Sequence, residues 1–421
     1  MRYSLLNYLR CPETGEALAA MALKEIDAPI RSLYVNAAER VNAPGQLFGP
    51  LPAARKSTDF TALLSKHAPA ARQEDLERNH QVEVGEGLLV SVETGRWYPV
   101  IDSVPEMLPD HLRDWDKDLA WLQQFKDRIP NELFQKFGRS GGRALEEGEH
   151  HKVAEIGLLA KVEKLDDFLA PGYIAPFYIG SYHHSKDLIR GFANAITFME
   201  IGEGRVLLDV GCGYAWTTEW MAKIGVTSIG IDINRTYMDV GRARMKGGVQ
   251  PHLIVGDVEN LPLVDASCHA ILGFDAFHHV PNRAAAMKGF YGKLVDGGRV
   301  VFVEPGSDHK DAPQSIDVME KYGTLEHGMD YDDVCSYVEG TQFQQPEELF
   351  LNLVSNRKAK DSYTKEQLFD RSYIGWRVFV IEKPITGMWV QWSSTRKGLK
   401  AWAKRQPLIY WVYRKLRRWF L

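Results

Sequence analysis

Between residues 200 and 306 the chain alternates short aliphatic runs with stretches of helical spacing. Val206-Leu207-Leu208 leads into Asp209-Val210-Gly211-Cys212-Gly213-Tyr214-Ala215, and residues 216–224 then read as a helix. Ser228-Ile229-Gly230-Ile231-Asp232 is a second apolar run, Leu253-Ile254-Val255 a third, residues 269–274 a fourth and residues 299–304 a fifth. A helix is predicted over 282–295, and Asp296-Gly297-Gly298 reads as the turn before the fifth run. Apolar strands alternating with helices and short turns predict an α/β fold, a parallel sheet covered on both faces.

The turn after the first strand carries candidate chemistry. Gly211 and Gly213 between strand and helix let backbone amides approach a ligand with no Cβ in the way. Asp232 closes the second strand, 23 residues beyond Asp209, where a carboxylate can accept hydrogen bonds from ribose hydroxyls. The third strand ends in Gly256-Asp257-Val258, followed by Leu261-Pro262-Leu263. A dinucleotide dehydrogenase is disfavoured, because Trp216 stands where Gly-x-Gly-x-x-Gly needs its third glycine.

Together, residues 206–214, 230–234, 256–262, 269–280 and 294–306 resemble the class I S-adenosylmethionine-dependent methyltransferases, especially those like the ubiquinone-biosynthesis enzymes. The resemblance implies a doubly wound, seven-stranded, mainly parallel Rossmann-like sheet over residues 200–384, whose antiparallel last strand is Arg377-Val378-Phe379-Val380-Ile381-Glu382. It implies S-adenosyl-L-methionine as cofactor, with Asp209, Gly211, Cys212, Gly213, Asp232, Ile233, Asp257, Val258 and Phe274 as the binding residues. In that scheme the glycines line the methionine and adenosine portion and Asp232 holds the ribose. Asp257 and the backbone of Val258 take the adenine edge, and Phe274 lies beneath the cofactor near the sulfonium.

In that family the segment before the first strand folds over the cofactor, which here means residues 177–186. Tyr178, Tyr182 and His184 are therefore the expected acceptor contacts, since ring faces favour a cation. A hydroxyl acceptor needs a base, and histidine suits that role near neutral pH. The candidates are His278 and His279, just past the fourth strand, and His183 in the preceding segment. The Asn/Asp-Pro-Pro-Tyr/Phe signature of nitrogen methylation in such enzymes is absent; Gly273-Phe274-Asp275-Ala276-Phe277-His278-His279 occupies its place. Oxygen or carbon methylation is thus preferred. The insertion at 308–340, rich in Asp and Glu, is expected to shape the acceptor pocket and to repel a polyanion.

Residues 1–109 read as a second, β-rich unit with a polar insertion at 28–80. Its Cys11-Pro12 start and its Tyr98-Pro99-Val100-Ile101-Asp102 ending resemble the small zinc-ribbon-like domain that activates tRNA and translation-factor methyltransferases. Zinc would need Cys-x-x-Cys, yet Thr14 stands where the second thiolate belongs and no later cysteine pair completes a site. No metal is expected, and Cys11 is read as a buried structural thiol. Residues 110–199 read as a helical linker and lid, with Leu119, Leu122, Phe125, Ile129 and then Ile156, Leu159, Val162, Leu165 at helical spacing.

Length and charge refine this picture. A chain of 421 residues should hold two or three units. The four cysteines show neither metal spacing nor a disulfide pattern, no secretory signal is evident, and no apolar run approaches a membrane span, so a cytoplasmic location is expected. Net charge is −4, but residues 385–421 hold nine Lys or Arg and no acid. The remaining 42 basic and 55 acidic residues leave the body at −13. From Pro407 the tail reads as a basic amphipathic helix, and Trp389, Trp392, Trp402, Trp411 and Trp419 crowd the tail. That composition suits an in-plane anchor on an anionic membrane, peripheral on the inner face. A docked helix, an oligomer contact or nucleic-acid binding are its rivals.

The expectation is a methyltransferase acting on oxygen, or carbon, of a small or lipid-linked acceptor such as a glycan or polyprenyl-type molecule, with nucleic acid disfavoured. An RNA or protein methyltransferase carrying its activator-like domain in cis is the alternative within enzymes. A cofactor-binding scaffold without catalysis is the alternative outside them.

Overall fold

The computed structural model describes residues 1–27, 39–40, 47–48, 51–67, 82–158, 173–178, 180–245, 251–306, 308–350 and 376–385. The tail from 386 onward, most of the 28–80 insertion, and the expected helical positions Leu159, Val162 and Leu165 lie outside the described residues.

The N-terminal strands are β1 (Leu18–Asp27), β2 (Glu39–Arg40), β3 (Leu47–Phe48), β4 (Val82–Ser91), β5 (Trp97–Ile101) and β6 (Val104–Met107). A two-strand hairpin follows, β7 (Tyr173–Ile174) and β8 (Phe177–Tyr178). The remaining strands are β9 (Val206–Val210), β10 (Thr227–Asp232), β11 (His252–Gly256), β12 (Cys268–Phe274), β13 (Leu294–Pro305), β14 (Glu347–Phe350) and β15 (Trp376–Glu382). Helices Tyr182–Met199, Trp216–Lys223, Arg235–Arg244 and Arg283–Lys293 alternate with them. Asn234 and Asn282 cap the last two, accepting from the amides of Tyr237 and Ala285.

Among the described residues one sheet contains thirteen strands, in the order β14-β15-β13-β12-β9-β10-β11-β6-β5-β4-β1-β2, with β3 also on β1. The order reverses between β9 and β12, both parallel to each other, and β15 runs antiparallel to β13. Strand order switching at β9 opens a crevice at the carboxyl ends of β9 and β12, the usual ligand position in such sheets.

The expectation of a seven-stranded sheet beside a separate small unit needs correction. β6 pairs in parallel with β11, Glu106 against Val255 and Met107 against Gly256, so the N-terminal strands extend the same sheet. Side chains follow the backbone: Leu9, Tyr98, Val100 and Met107 share one apolar cluster with Leu208, Ile231, Ile254 and Leu263. Arg235 bonds Glu106 at 2.8 Å and Arg242 bonds Glu83 at 2.9 Å across the junction. Backbone pairing carries no side-chain signature, so the sequence could not show it.

The expected boundary at 109 also shifts. Trp115, Trp121, Leu122, Ile129, Leu133 and Phe137 pack with Leu88, Val90 and Trp97 of the N-terminal sheet, so residues 115–137 belong to that unit rather than to a lid. The Arg113 guanidinium lies 3.9 Å from the Trp115 ring and 4.8 Å from the Trp97 ring, tying this helical stretch to β5. Cys11 is buried, its sulfur 3.2 Å from the Tyr98 hydroxyl.

Candidate active site

The crevice holds a cavity of ≈ 380 Å³. Gly211, Cys212 and Gly213 line it from the first turn, Asp232 and Ile233 from the end of β10, and Asp257 and Val258 from the end of β11. Phe274 lines it from β12, with Asp275, Ala276 and Phe277 from the loop beyond.

The glycine turn is built locally. Gly211 has φ +61, and a Cβ there would meet the Ala276 Cβ at 2.5 Å, whereas at Gly213, with φ +50, a Cβ would stand in open space. Asp232 holds this turn: one carboxylate oxygen accepts from the Gly213 amide and the other from the Asn234 amide, each at 2.9 Å. Burial raises its pKa to about 6 against these backbone donors.

Asp209, expected as a binding residue, is placed behind the cavity. Its Oδ2 accepts from the hydroxyls of Thr217 and Thr218, each at 2.6 Å, so it braces the helix after the turn. Burial raises its pKa to about 6. Phe274 packs edge-on against Trp216 and Phe192, a rigid aromatic wall under the crevice.

The cover differs from the expected 177–186 segment. His184 and Leu188 line the cavity, but His183 and Tyr182 are exposed on the helix Tyr182–Met199 and do not. Tyr178 is described only as backbone in β8. The helix Glu149–Gly157 also covers the crevice, contributing Lys152 and Glu155, with Leu158 just beyond. Lys152 is buried and donates to Asp257 at 2.8 Å and to Glu259 at 2.6 Å. Burial opposes its charge, but Asp257 and Glu259 outweigh that and hold its pKa above the ordinary value. Glu155 lies 3.5 Å from His279, and burial followed by repulsion from Asp232 raises its pKa to about 7.

The two neighbouring histidines separate in role. His278 is buried, its Nδ1 2.6 Å from Glu304, whose other oxygen accepts from the amides of Ala276 and Phe277. Burial would lower the His278 pKa, but bonds to Glu304 and Glu326 raise it to about 10. His278 does not line the cavity, and His279 does. The His279 Nδ1 donates to the Leu325 carbonyl at 2.6 Å, and enclosure, then the charge of His278, lowers its pKa to about 4. Val318, Thr324 and Glu326 close this end from the 308–340 insertion. Lys152, Glu155 and Glu304 were not singled out from sequence, because no motif spacing links them to the glycine turn, and Glu326 was legible only as one acid of the 308–340 insertion.

Residues 208–302 match the family model described as methyltransferase domain. This part of the chain is similar to methyltransferase domains. The demethylmenaquinone methyltransferase of Staphylococcus saprophyticus is 33% identical over 110 residues, covering 25% of this chain and 47% of that protein. The ubiquinone biosynthesis O-methyltransferase of Xanthomonas axonopodis pv. citri is 32% identical over 99 residues, covering 23% of this chain and 41% of that protein. A solved Haemonchus contortus phosphoethanolamine N-methyltransferase 2 in complex with S-adenosyl-L-methionine aligns at TM-score 0.41 and 13% identity, covering 59% of this chain and 61% of that one. The chain spans less than half the length of the curated relatives it matches.

S-adenosylmethionine is the cofactor of this domain, and the residues present fit it. The open space at the Gly213 Cβ position, the Asp232 carboxylate beside it and the buried, unbonded Glu155 Oε1 make a cradle for a polar, cationic ligand.

Proposed function

We propose that the chain is an S-adenosylmethionine-dependent methyltransferase that methylates an oxygen, or a carbon, of a small or lipid-linked acceptor such as a glycan or polyprenyl-type molecule. One observation carries the reading: a single cavity is lined both by the glycine turn and Asp232 and by His279 and Glu326. When bound, the cofactor supplies a methyl carbon activated by a cationic sulfur.

The chain's own residues do the rest. Gly211 and Gly213 would present backbone to the cofactor, Asp232 would receive its ribose hydroxyls, and Asp257, held by Lys152, and Val258 would take its adenine. Phe274 and Trp216 give the floor an aromatic, electron-rich surface suited to a sulfonium. Holding both reactants in one enclosed crevice converts an encounter into an aligned displacement. His279 is the histidine through which a hydroxyl acceptor would be activated, since it lines the cavity and His278 does not.

The lipid-linked part of the reading draws on relatives named for quinone methylation and on the tryptophan-rich basic tail. No described helix is long and apolar enough to cross a membrane; the proposed association is peripheral, through the basic tail on the cytoplasmic face. Labelled cofactor incubated with the protein and cell lysate should put its methyl group in the organic or carbohydrate fraction. Label confined to RNA or protein would replace this reading with the cis-activated alternative, and cofactor binding without any transfer would favour a scaffold. Deleting 385–421 should release the protein from anionic vesicles; undiminished binding would remove the anchor.

A further inference from the structure

His278, His279 and Glu326 each offer a donor atom within 4.8 Å of the other two. Glu326 Oε2 is 3.4 Å from His278 Nε2 and 2.9 Å from His309 Nε2, while Oε1 is 3.8 Å from His279 Nδ1. Three imidazoles thus converge on one carboxylate. An ion bonded to nitrogen and oxygen at about 2.0–2.2 Å spaces neighbouring donors about 3–3.5 Å apart; the Glu326–His278 separation of 3.4 Å falls in that range, and His279 at 3.8 Å lies just outside it.

We propose that this cluster is a site for a divalent transition-metal ion, held by His278, His279 and Glu326 with His309 at its margin. The outer contacts are those a metal-bound histidine needs. Glu304 is fully buried, grips His278 Nδ1 at 2.6 Å and is itself fixed by two backbone amides, which leaves Nε2 for the ion. His279 faces Glu326 through Nδ1, which also donates to the Leu325 carbonyl at 2.6 Å, so an ion bound there replaces that hydrogen bond and the proton moves to the other ring nitrogen. The surroundings are anionic as well: Glu155 approaches His279 at 3.5 Å, and Asp275 lines the same cavity. A donor set rich in imidazole with one carboxylate suits zinc, cobalt, iron or manganese better than magnesium or calcium.

The consequence rests on the proposed acceptor end of the cavity. Glu326 and His279 line that end, so an ion there has an open side facing an acceptor. A hydroxyl bound to the ion releases its proton to solvent far more readily than a free one, and His279 then acts as a ligand rather than as a base.

The test uses the full chain, stripped with a chelator and titrated with Co²⁺ near neutral pH. The expected result is about one equivalent bound, with visible absorption bands that Zn²⁺ abolishes. Glu326→Gln and His279→Gln, each shown folded by circular dichroism, should lose the bands, and Glu304→Gln should weaken binding by about 10–100-fold. A wild-type protein that shows no bands overturns the site, as do bands that persist unchanged in Glu326→Gln and His279→Gln. Calorimetry with S-adenosylhomocysteine on the wild type runs beside it. Cofactor binding without cobalt binding ends the metal inference alone; cobalt binding without cofactor binding ends the methyltransferase reading alone.

Discussion

Asp232 accepts a hydrogen bond from the Gly213 amide at 2.9 Å. The carboxylate at the end of β10 therefore fixes the shape of the turn after β9, and the same group is the one proposed to receive a ribose.

Replacing Asp232 by Ala removes both tasks. Charged hydrogen bonds contribute about 1.5–3 kcal/mol each, so affinity for S-adenosylhomocysteine should fall at least about tenfold. Isothermal titration calorimetry measures it, and an unchanged dissociation constant would sink the assignment of Asp232.

Gly211→Ala and Gly213→Ala should fail differently. Both positions have positive φ, which costs a residue with a Cβ about 1–2 kcal/mol. At Gly211 the added methyl also collides with Ala276, so thermal stability drops more steeply. At Gly213 the methyl stands in the cavity, so cofactor affinity should be lost while the fold survives. Equal losses of melting temperature in the two variants would contradict this division.

Lys152→Met leaves Asp257 and Glu259 facing each other in a buried place without their cation. Breaking such a cluster from one side typically costs about 3–5 kcal/mol. Urea unfolding should show that loss, and adding Glu259→Gln should recover part of it. A stability within about 0.5 kcal/mol of wild type, the usual surface range, would mean the lysine is not buried as described.

Glu155 makes stability depend on pH in a predictable sense. Its folded pKa, about 7, lies above its ordinary 4.5, so the folded chain holds that proton more tightly. The resulting stabilisation is complete below pH 4.5 and disappears as pH rises through 7. Its size is at most about 3 kcal/mol. Glu155→Gln has no proton to lose, so relative to wild type it should gain stability between these limits. Parallel stability–pH curves for the two proteins would refute the burial of this carboxyl group.

Removing residues 1–107 should not release a well-behaved catalytic fragment. The cut bares the edge of β11 and the apolar faces of Ile254 and Leu263, and an open edge of this kind invites aggregation. Size-exclusion chromatography of the fragment checks this; a monodisperse, cooperatively unfolding product would show that the sheet junction is dispensable.

The sequence by itself determined the local parts of this protein. The alternation of strands and helices, the glycine turn at 211–213, and Asp232 and Asp257 at strand ends are all written in contiguous residues, because periodicity and turn chemistry act over a few positions. Only the tertiary structure decided what surrounds them. Lys152 meets Asp257 across 105 residues, Glu304 meets His278 across 26, and neither pairing leaves a spacing to read. The split between His278, clamped outside the cavity, and His279, lining it, depends on one turn of backbone and the position of Glu304. The fusion of β6 to β11 rests on main-chain hydrogen bonds that any residues could make. Long-range packing assembles such contacts from distant segments, and local pattern carries no record of which segments will meet.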